Sequence, residues 1–408
     1  MYFSAPPPNV LNLRISKRKN SYLISIVLLF NFFPWLSLSL NSFDMQPWTL
    51  LVNTLFIFKF LRTEINWLLY VFYCLFGFVL FLAMLNFGYY ALRSLASYYL
   101  LVTGFHLYYI IFKLNFKLFV RVLIAANFIW IFFGLIQLFL GVESLSGLVN
   151  LRSSSDRGMT SLSPEPTHFG FHLVFFSWIL LILSNFKLLE RSRVFFIVSL
   201  NFLSILLLAK SSMALIYFIL VIIVFFLSVN ANPIRIILFF AGMLLISIFS
   251  YAYLIYDSDS RISNVVFALL DDPFVAIRDD ASVNARFSHL VLSILASFHS
   301  LFYPHGFSSF YSDSVFYNDL LGGFFWYNYQ SNIIMSGTGA LLYELGFIGV
   351  FFILATAVYM MGMKIFNKFG FFSFLLLWML MFGAIPISYP MLPAVATLVH
   401  FFNRKNII

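Results

Sequence analysis

The residues of this chain best suited to chemistry fall in one short run, Arg157-Gly-Met-Thr-Ser-Leu-Ser-Pro-Glu165-Pro-Thr-His168-Phe-Gly-Phe-His172. Pro166 suits the first turn of a helix, where a missing N–H costs little. Glu165, His168 and His172 then recur at i, i+3 and i+7 and share one helix face. A carboxylate and two imidazoles so arranged can accept a proton, bind a hydroxyl or, with a further ligand, hold zinc. Near a membrane boundary three such groups are costly unless they face a polar cavity. The competing readings are a satisfied hydrogen-bond cluster between helices for the histidines and a favourable charge at a helix start for Glu165.

A second pattern supplies cations. Phe287, Leu290, Val291, Ile294, Leu295, Phe298 and Phe302 recur at helical spacing with Asn284, Ser288, Ser293 and Ser300 between them, which predicts an amphipathic helix lying on the membrane surface. Arg286 opens that helix in Asn284-Ala-Arg286-Phe-Ser-His289, near the headgroup plane, where guanidinium binds phosphate bidentately. Arg157 approaches from another loop, and Lys210-Ser211-Ser212 sits at the end of a third helix, so three cations distant in sequence can converge on one anion. Against this stand nonspecific lipid binding by Arg286, pairing of Arg157 with Asp156 or Glu143, and snorkelling by Lys210. No metal site is assigned. The only cysteine is Cys74, and Asp257-Ser-Asp259, Asp271-Asp272 and Asp279-Asp280 read as solvated loop charges as readily as ion ligands.

The elements that must position these residues are membrane helices. Of 408 residues, 62% are hydrophobic and 10% charged, with a mean hydropathy of +0.96. Soluble domains carry roughly a quarter charged residues, so a soluble enzyme, a nucleic-acid binder and a disordered scaffold are excluded together. The apolar runs are continuous rather than alternating, which excludes a β-barrel. The expected fold is an all-α polytopic membrane protein in one domain, 1–408, with about 12 spans: 21–40, retained as a first helix, then 47–61, 66–86, 94–112, 119–140, 166–186, 194–209, 212–229, 234–255, 336–361, 370–385 and 388–402. With the N-terminus inside, 17 of the 24 basic residues fall on inside connections, and both termini are expected in the cytoplasm. Outside lie Arg93, Arg152, Arg157, Lys210, Arg261, Arg278 and Arg286, most of the acids, a short loop at 141–164 and a large one at 256–336. Loops of that length are usually functional or disordered.

A family resemblance enters at these residues. Arg157 followed by Glu165-Pro166-Thr-His-Phe-Gly170 resembles the Arg, spacer, Glu-Pro-Ser signature of bacterial O-antigen polymerases, the Wzy-type polymerases of lipid-linked oligosaccharide repeat units. Leu-Ala-Lys210-Ser211-Ser212-Met-Ala resembles the small-residue helix start that follows there. Arg286 with its helix leading to Pro304-His305-Gly306-Phe, and then Tyr343-Glu344-Leu345-Gly346-Phe-Ile-Gly349, resemble the later motifs. The likeness spans about residues 130–365, and the shared order of the pieces is its specific part. The related O-antigen ligases place a catalytic histidine in the long loop ahead of the Glu-Leu-Gly helix, where this chain reads Tyr327-Asn-Tyr-Gln330-Ser-Asn332. That counts against a ligase unless His289, His299 or His305 folds back.

The resemblance implies a GT-C-like glycosyltransferase of the bacterial inner membrane with its active site on the periplasmic side. In the implied reaction a sugar hydroxyl of one lipid-linked repeat unit attacks the nascent glycan on undecaprenyl pyrophosphate. Arg157 and Arg286, joined by Lys210, would stabilise the departing pyrophosphate, and no cofactor is needed. Glu165 is the first candidate for the proton acceptor and His168 the second, while His172, Ser211, His289 and His305 are the candidate substrate contacts. The expected partners are the lipid-linked donor and acceptor and membrane lipids, with a polysaccharide chain-length regulator and a flippase as further candidates and no nucleic acid. The alternatives are an O-antigen ligase acting on lipid A core and a glycolipid flippase or transporter.

Overall fold

The computed structural model describes residues 17–37, 47–60, 66–85, 87–152, 158–228, 267–268, 271–362, 367–383 and 385–405. Helix accounts for 79% of the structure, with no strand among the described residues. Four helices are long and apolar enough to cross a membrane: Trp67–Leu85, Tyr89–Leu140, Pro166–Asn185 and Arg191–Ala209. The architecture is that of a helical membrane protein. In chain order the helices are α1 (Lys17–Phe32), α2 (Trp48–Lys59), α3 (Trp67–Leu85), α4 (Tyr89–Leu140), α5 (Pro166–Asn185), α6 (Arg191–Ser204) and α7 (Ser212–Ser228). There follow α8 (Pro273–Asp279), α9 (Ala281–His299), α10 (Phe310–Leu320), α11 (Gly337–Leu345), α12 (Phe347–Met361), α13 (Lys368–Phe382) and α14 (Met391–Lys405). The expected span at 234–255 lies outside the described residues.

Two expected spans, 94–112 and 119–140, form one helical run, α4, broken at Asn115 (φ −156°, ψ 71°). Asn115 Oδ1 accepts the Leu118 amide at 3.2 Å and so caps the second half. The rings of Tyr108 and Phe119 are 6.1 Å apart. A straight helix would separate residues eleven apart by roughly 16 Å of rise, so the chain folds back here. The expected span 336–361 is likewise two helices, α11 and α12, divided at Gly346 (φ 56°). At 12 residues α2 is roughly 18 Å long, less than a bilayer core, as its short apolar run foretells.

The bundle is centred on α4, against which α1, α2, α3 and α14 pack, while α5 lies between α6 and α7. Buried amides fasten these helices where apolar contact alone gives no register. Asn31 Nδ2 donates to Asn53 Oδ1 at 2.7 Å between α1 and α2. Asn201 of α6 donates to Asn127 of α4 and to Ser177 of α5, both at 2.9 Å.

The amphipathic pattern in the long loop does form a helix, α9, and its orientation is informative. Its buried residues are mostly small or polar, among them Asn284, Ser288, His289, Ser293 and Ser297, whereas Phe287, Val291 and Phe298 face outward. The polar stripe is thus the one pressed against the protein, on α10 and α11, and the apolar stripe is left exposed. The small inward residues allow close approach: a Cβ on Gly339 of α11 would overlap Ser293 Oγ.

Candidate functional site

The run that ends in α5 is held from behind by a residue inside an apolar helix. Gln137 of α4 receives the amides of Thr160 (2.9 Å) and Ser161 (2.6 Å) on Oε1, and its Nε2 donates to Thr160 Oγ1 (2.9 Å) and the Val142 carbonyl (3.0 Å). Ser161, at φ 52°, donates its hydroxyl to the Trp130 carbonyl at 2.6 Å, and Thr160, Ser161 and Ser163 are fully buried. The segment leading to Glu165 is therefore a buried strap rather than a solvated loop. Gln137→Leu should leave two amides without acceptors, at about 1–3 kcal/mol for each buried group. The expected result is a clear fall in thermal midpoint in detergent, and an unchanged midpoint would refute the strap.

Pro166 occupies the first turn of α5 and Glu165 its cap position, but the Glu165 side chain makes no capping bond. It faces α9 instead, with Arg286 Nη2 at 3.9 Å from Glu165 Oε2 and the two side chains 18% and 26% exposed. Arg286 Nη2 also donates to Thr167 Oγ1 at 3.3 Å, and Nη1 contacts Met213 Sδ at 3.5 Å. Ser211 Oγ donates to the same Thr167 oxygen at 3.5 Å. Three segments far apart in sequence thus meet at the head of α5. The close approach of α5 to α7 depends on Gly170, because a Cβ there would overlap that of Ala214.

Lys210 is exposed and left-handed (φ 46°), ending a π-helical turn at Ile205–Ala209. Gly158 lies directly against the Ala209 carbonyl, and the Met159 amide donates to Leu208 at 2.7 Å. The chain next to Arg157 is therefore beside Lys210, while Arg157 itself lies outside the described residues.

The histidines separate. His168 lies against Trp35 in a tilted arrangement, 5.1 Å between ring centroids, and is partly exposed. His172 is fully buried, hydrogen-bonded to the Tyr389 hydroxyl through Nδ1 and ringed by Trp35 (5.1 Å) and Trp130 (4.5 Å). That is a packing position, about two turns below Glu165 along α5. His289 is also buried, with Nδ1 accepting the Met335 amide at 3.4 Å and its ring 5.5 Å from Phe310. It fastens α9 to the chain before α11.

His305 does fold back toward the Glu-Leu-Gly helix. Its ring stacks on Tyr343 of α11 at 4.3 Å, and the amides of His305 and Gly306 donate to the Tyr343 and Glu344 carbonyls at 3.1 and 3.2 Å. Those carbonyls belong to the last turn of α11 and have no partners within their own helix, so the Pro304-His305-Gly306 segment supplies them. His305 Nε2 is 3.8 Å from Asp313 Oδ2, which accepts the Tyr343 hydroxyl at 2.5 Å; Tyr343 is also 2.9 Å from Ser309 Oγ. Burial and the nearby Asp313 push the Tyr317 phenol above its ordinary pKa. Glu344 turns away into the bundle, where it receives Ser94 (3.0 Å) and Tyr98 (2.8 Å) of α4.

Three of the paired acids have local structural contacts. Asp272 receives two amides at the start of α8, Asp280 two at the start of α9, and Asp279 pairs with Arg278 at 3.0 Å. Among the described residues no three His, Cys, Asp or Glu side chains gather closely enough to hold a metal ion. Asp257 and Asp259 lie outside the described residues. Sequence reasoning passed over Gln137, Thr167, Asp313, Tyr317 and Tyr343. Only an amide inside an apolar run could have flagged Gln137; Thr167 and Tyr343 stand within quoted motifs without having been assigned a part, and Asp313 and Tyr317 carry no local signal.

The site thus combines a loose guanidinium–carboxylate pair, the hydroxyls of Thr167 on α5 and Ser211 at the head of α7, and an exposed lysine at one end of a membrane bundle. It is suited to holding an anion beside a proton acceptor. The chain matches no known protein family, no curated protein and no solved structure.

Proposed function

We propose that the protein is a GT-C-like glycosyltransferase that joins lipid-linked oligosaccharide repeat units, as an O-antigen polymerase does. The observation that carries this reading is the Arg286–Glu165 pair at the head of α5. A 3.9 Å separation is a loose ion pair, and a phosphate presenting two oxygens to the guanidinium fork would compete well for it. Once Arg286 turns to phosphate, Glu165 is released as a base. The sugar hydroxyl of the incoming unit then attacks the anomeric carbon of the nascent glycan. Its proton passes to Glu165, with His168 as second candidate, the glycosidic bond forms, and the bond to the undecaprenyl pyrophosphate oxygen breaks with its electron pair. Arg286, Lys210 and Arg157 stabilise the charge that develops on the leaving group.

In this reading the site faces the periplasm across the bacterial inner membrane and both termini are cytoplasmic. A cysteine at the exposed Ser312, in a Cys74→Ser background, should react with an impermeant thiol reagent in cells whose outer membrane is permeabilised. Reaction only after the inner membrane is broken would reverse the orientation. One observation favours a second reading: His305 stacked on Tyr343 stands ahead of the Glu-Leu-Gly sequence, as the related ligases place a histidine. The deciding assay supplies purified protein with a lipid-pyrophosphate-linked repeat unit in EDTA. A ladder on a gel supports the polymerase, transfer only when lipid A core is added supports the ligase, and no transfer to either acceptor refutes both.

A further inference from the structure

Asp313 sits in the first turn of α10, about one-third exposed. One of its oxygens is fixed by the Tyr343 hydroxyl at 2.5 Å and lies 3.8 Å from His305 Nε2; the other has no protein partner among the described residues. A carboxylate oriented through one oxygen and open at the other is a directed hydrogen-bond acceptor. One turn along α10, Tyr317 offers a half-buried ring that rests on the core, with the exposed Phe316 at 5.1 Å and the exposed His299 at 5.3 Å between centroids. Ser309 adds a hydroxyl already hydrogen-bonded to Tyr343.

This set has the chemistry of neither an ion site nor a lipid surface. One carboxylate with two neutral phenols and a hydroxyl is too poor in charge for a multivalent cation, and its negative charge disfavours phosphate. Carbohydrate fits both of its features. Hydroxyl groups donate to a fixed carboxylate, and the C–H bonds on one side of a pyranose meet the electron-rich face of an aromatic ring. The cluster is joined to the Arg286–Glu165 pair by a continuous path. His289, on the same helix as Arg286, contacts Phe310 at 5.5 Å, and Phe310 contacts Tyr343 at 5.1 Å.

We infer that the side-chain cluster of Asp313, Tyr317, His305 and Ser309 is a glycan-binding subsite, which holds sugars of the acceptor away from the reacting end. The inference rests on the glycosyl-transfer reading for its purpose but not for its test. Full-length protein in lipid nanodiscs would be titrated with soluble oligosaccharide released by mild acid from the lipid-linked glycans of the producing cell. The expected result is saturable binding, weakened about tenfold or more by Asp313→Asn and by Tyr317→Leu, with thermal midpoints close to wild type. In the transfer assay the same two variants should raise the acceptor concentration needed for half-maximal rate and leave the limiting rate nearly unchanged. Wild-type protein that does not bind, or variants that bind as well as wild type, would overturn the inference. Binding lost in both variants of a protein that transfers no glycan would uphold the subsite and sink the polymerase reading.

Discussion

Alanine at Arg286 is expected to lower glycan transfer by about 10²-fold or more, the scale on which removal of a donor to developing negative charge is felt. The side chain is polar and 18% exposed, and its contacts at the head of the bundle include Glu165, Thr167 and Met213 rather than an apolar layer. The thermal midpoint should therefore fall little while turnover collapses. Lysine should recover only a small part of the rate, because it keeps the charge but not the fork that grips two oxygens. Glu165→Gln preserves the shape of the pair and removes the proton acceptor, so it too should abolish transfer. If Arg286→Ala retained most of the wild-type rate, phosphate stabilisation would lie elsewhere and the site assignment would fall. If Glu165→Gln alone kept its rate, His168 would become the base and Glu165 merely the group that holds Arg286 in waiting.

Hydropathy made the long apolar helices legible, and the α5 residues show why. Pro166 fixed the helix start, and the apolar run to Asn185 fixed its length, so the expected 166–186 and the observed Pro166–Asn185 nearly coincide. That Arg286 and Glu165 serve one site was implied by the resemblance, whereas their direct approach at 3.9 Å joins residues 121 positions apart and has no local signal. What failed was anything decided by backbone dihedrals or distant pairing. A sliding average over 336–361 sees one apolar run and is blind to the left-handed Gly346 that divides it. The turn at Asn115, by contrast, was legible, because Lys113, Asn115 and Lys117 put a connection between the expected spans 94–112 and 119–140, and the chain breaks there.

The helix α9 teaches a related lesson. Periodicity correctly announced an amphipathic helix, but it cannot say which stripe faces the protein. In water the apolar stripe must turn inward; beside lipid either stripe can, and here the serines and Asn284 do so because they permit close packing on α11. The contact between Asp313 and Tyr343 joins residues 30 positions apart, and nothing local to either announces the other. It exists because the Pro304-His305-Gly306 segment completes the last turn of α11, a need that arises only once the helix has ended at Gly346.

That joint gives the second large expected effect. Gly346 combines a positive φ with a backbone so crowded that a Cβ would overlap the Phe302 carbonyl and lie 2.7 Å from Pro304 N. The Phe347 amide also donates to Phe302 at 2.7 Å, so the strand of chain carrying His305 is pinned at this point. Alanine at Gly346 should cost about 1–3 kcal/mol in backbone strain and a similar amount in overlap. Gly362 separates the two contributions: its φ is 69°, and nothing lies within 4 Å of the position a Cβ would take. Gly362→Ala should show the strain alone. Gly346→Ala should show both, and it should also free the 302–306 segment, so that glycan binding at Asp313 weakens while the Arg286–Glu165 pair, held by α5 and α9, stays in place. The measurements are thermal midpoints of the two variants in the same detergent and oligosaccharide binding by each. Equal destabilisation of the two, with binding intact in Gly346→Ala, would mean that the overlap is relieved by small shifts and that His305 is held against Tyr343 by its own stacking rather than by the chain behind it.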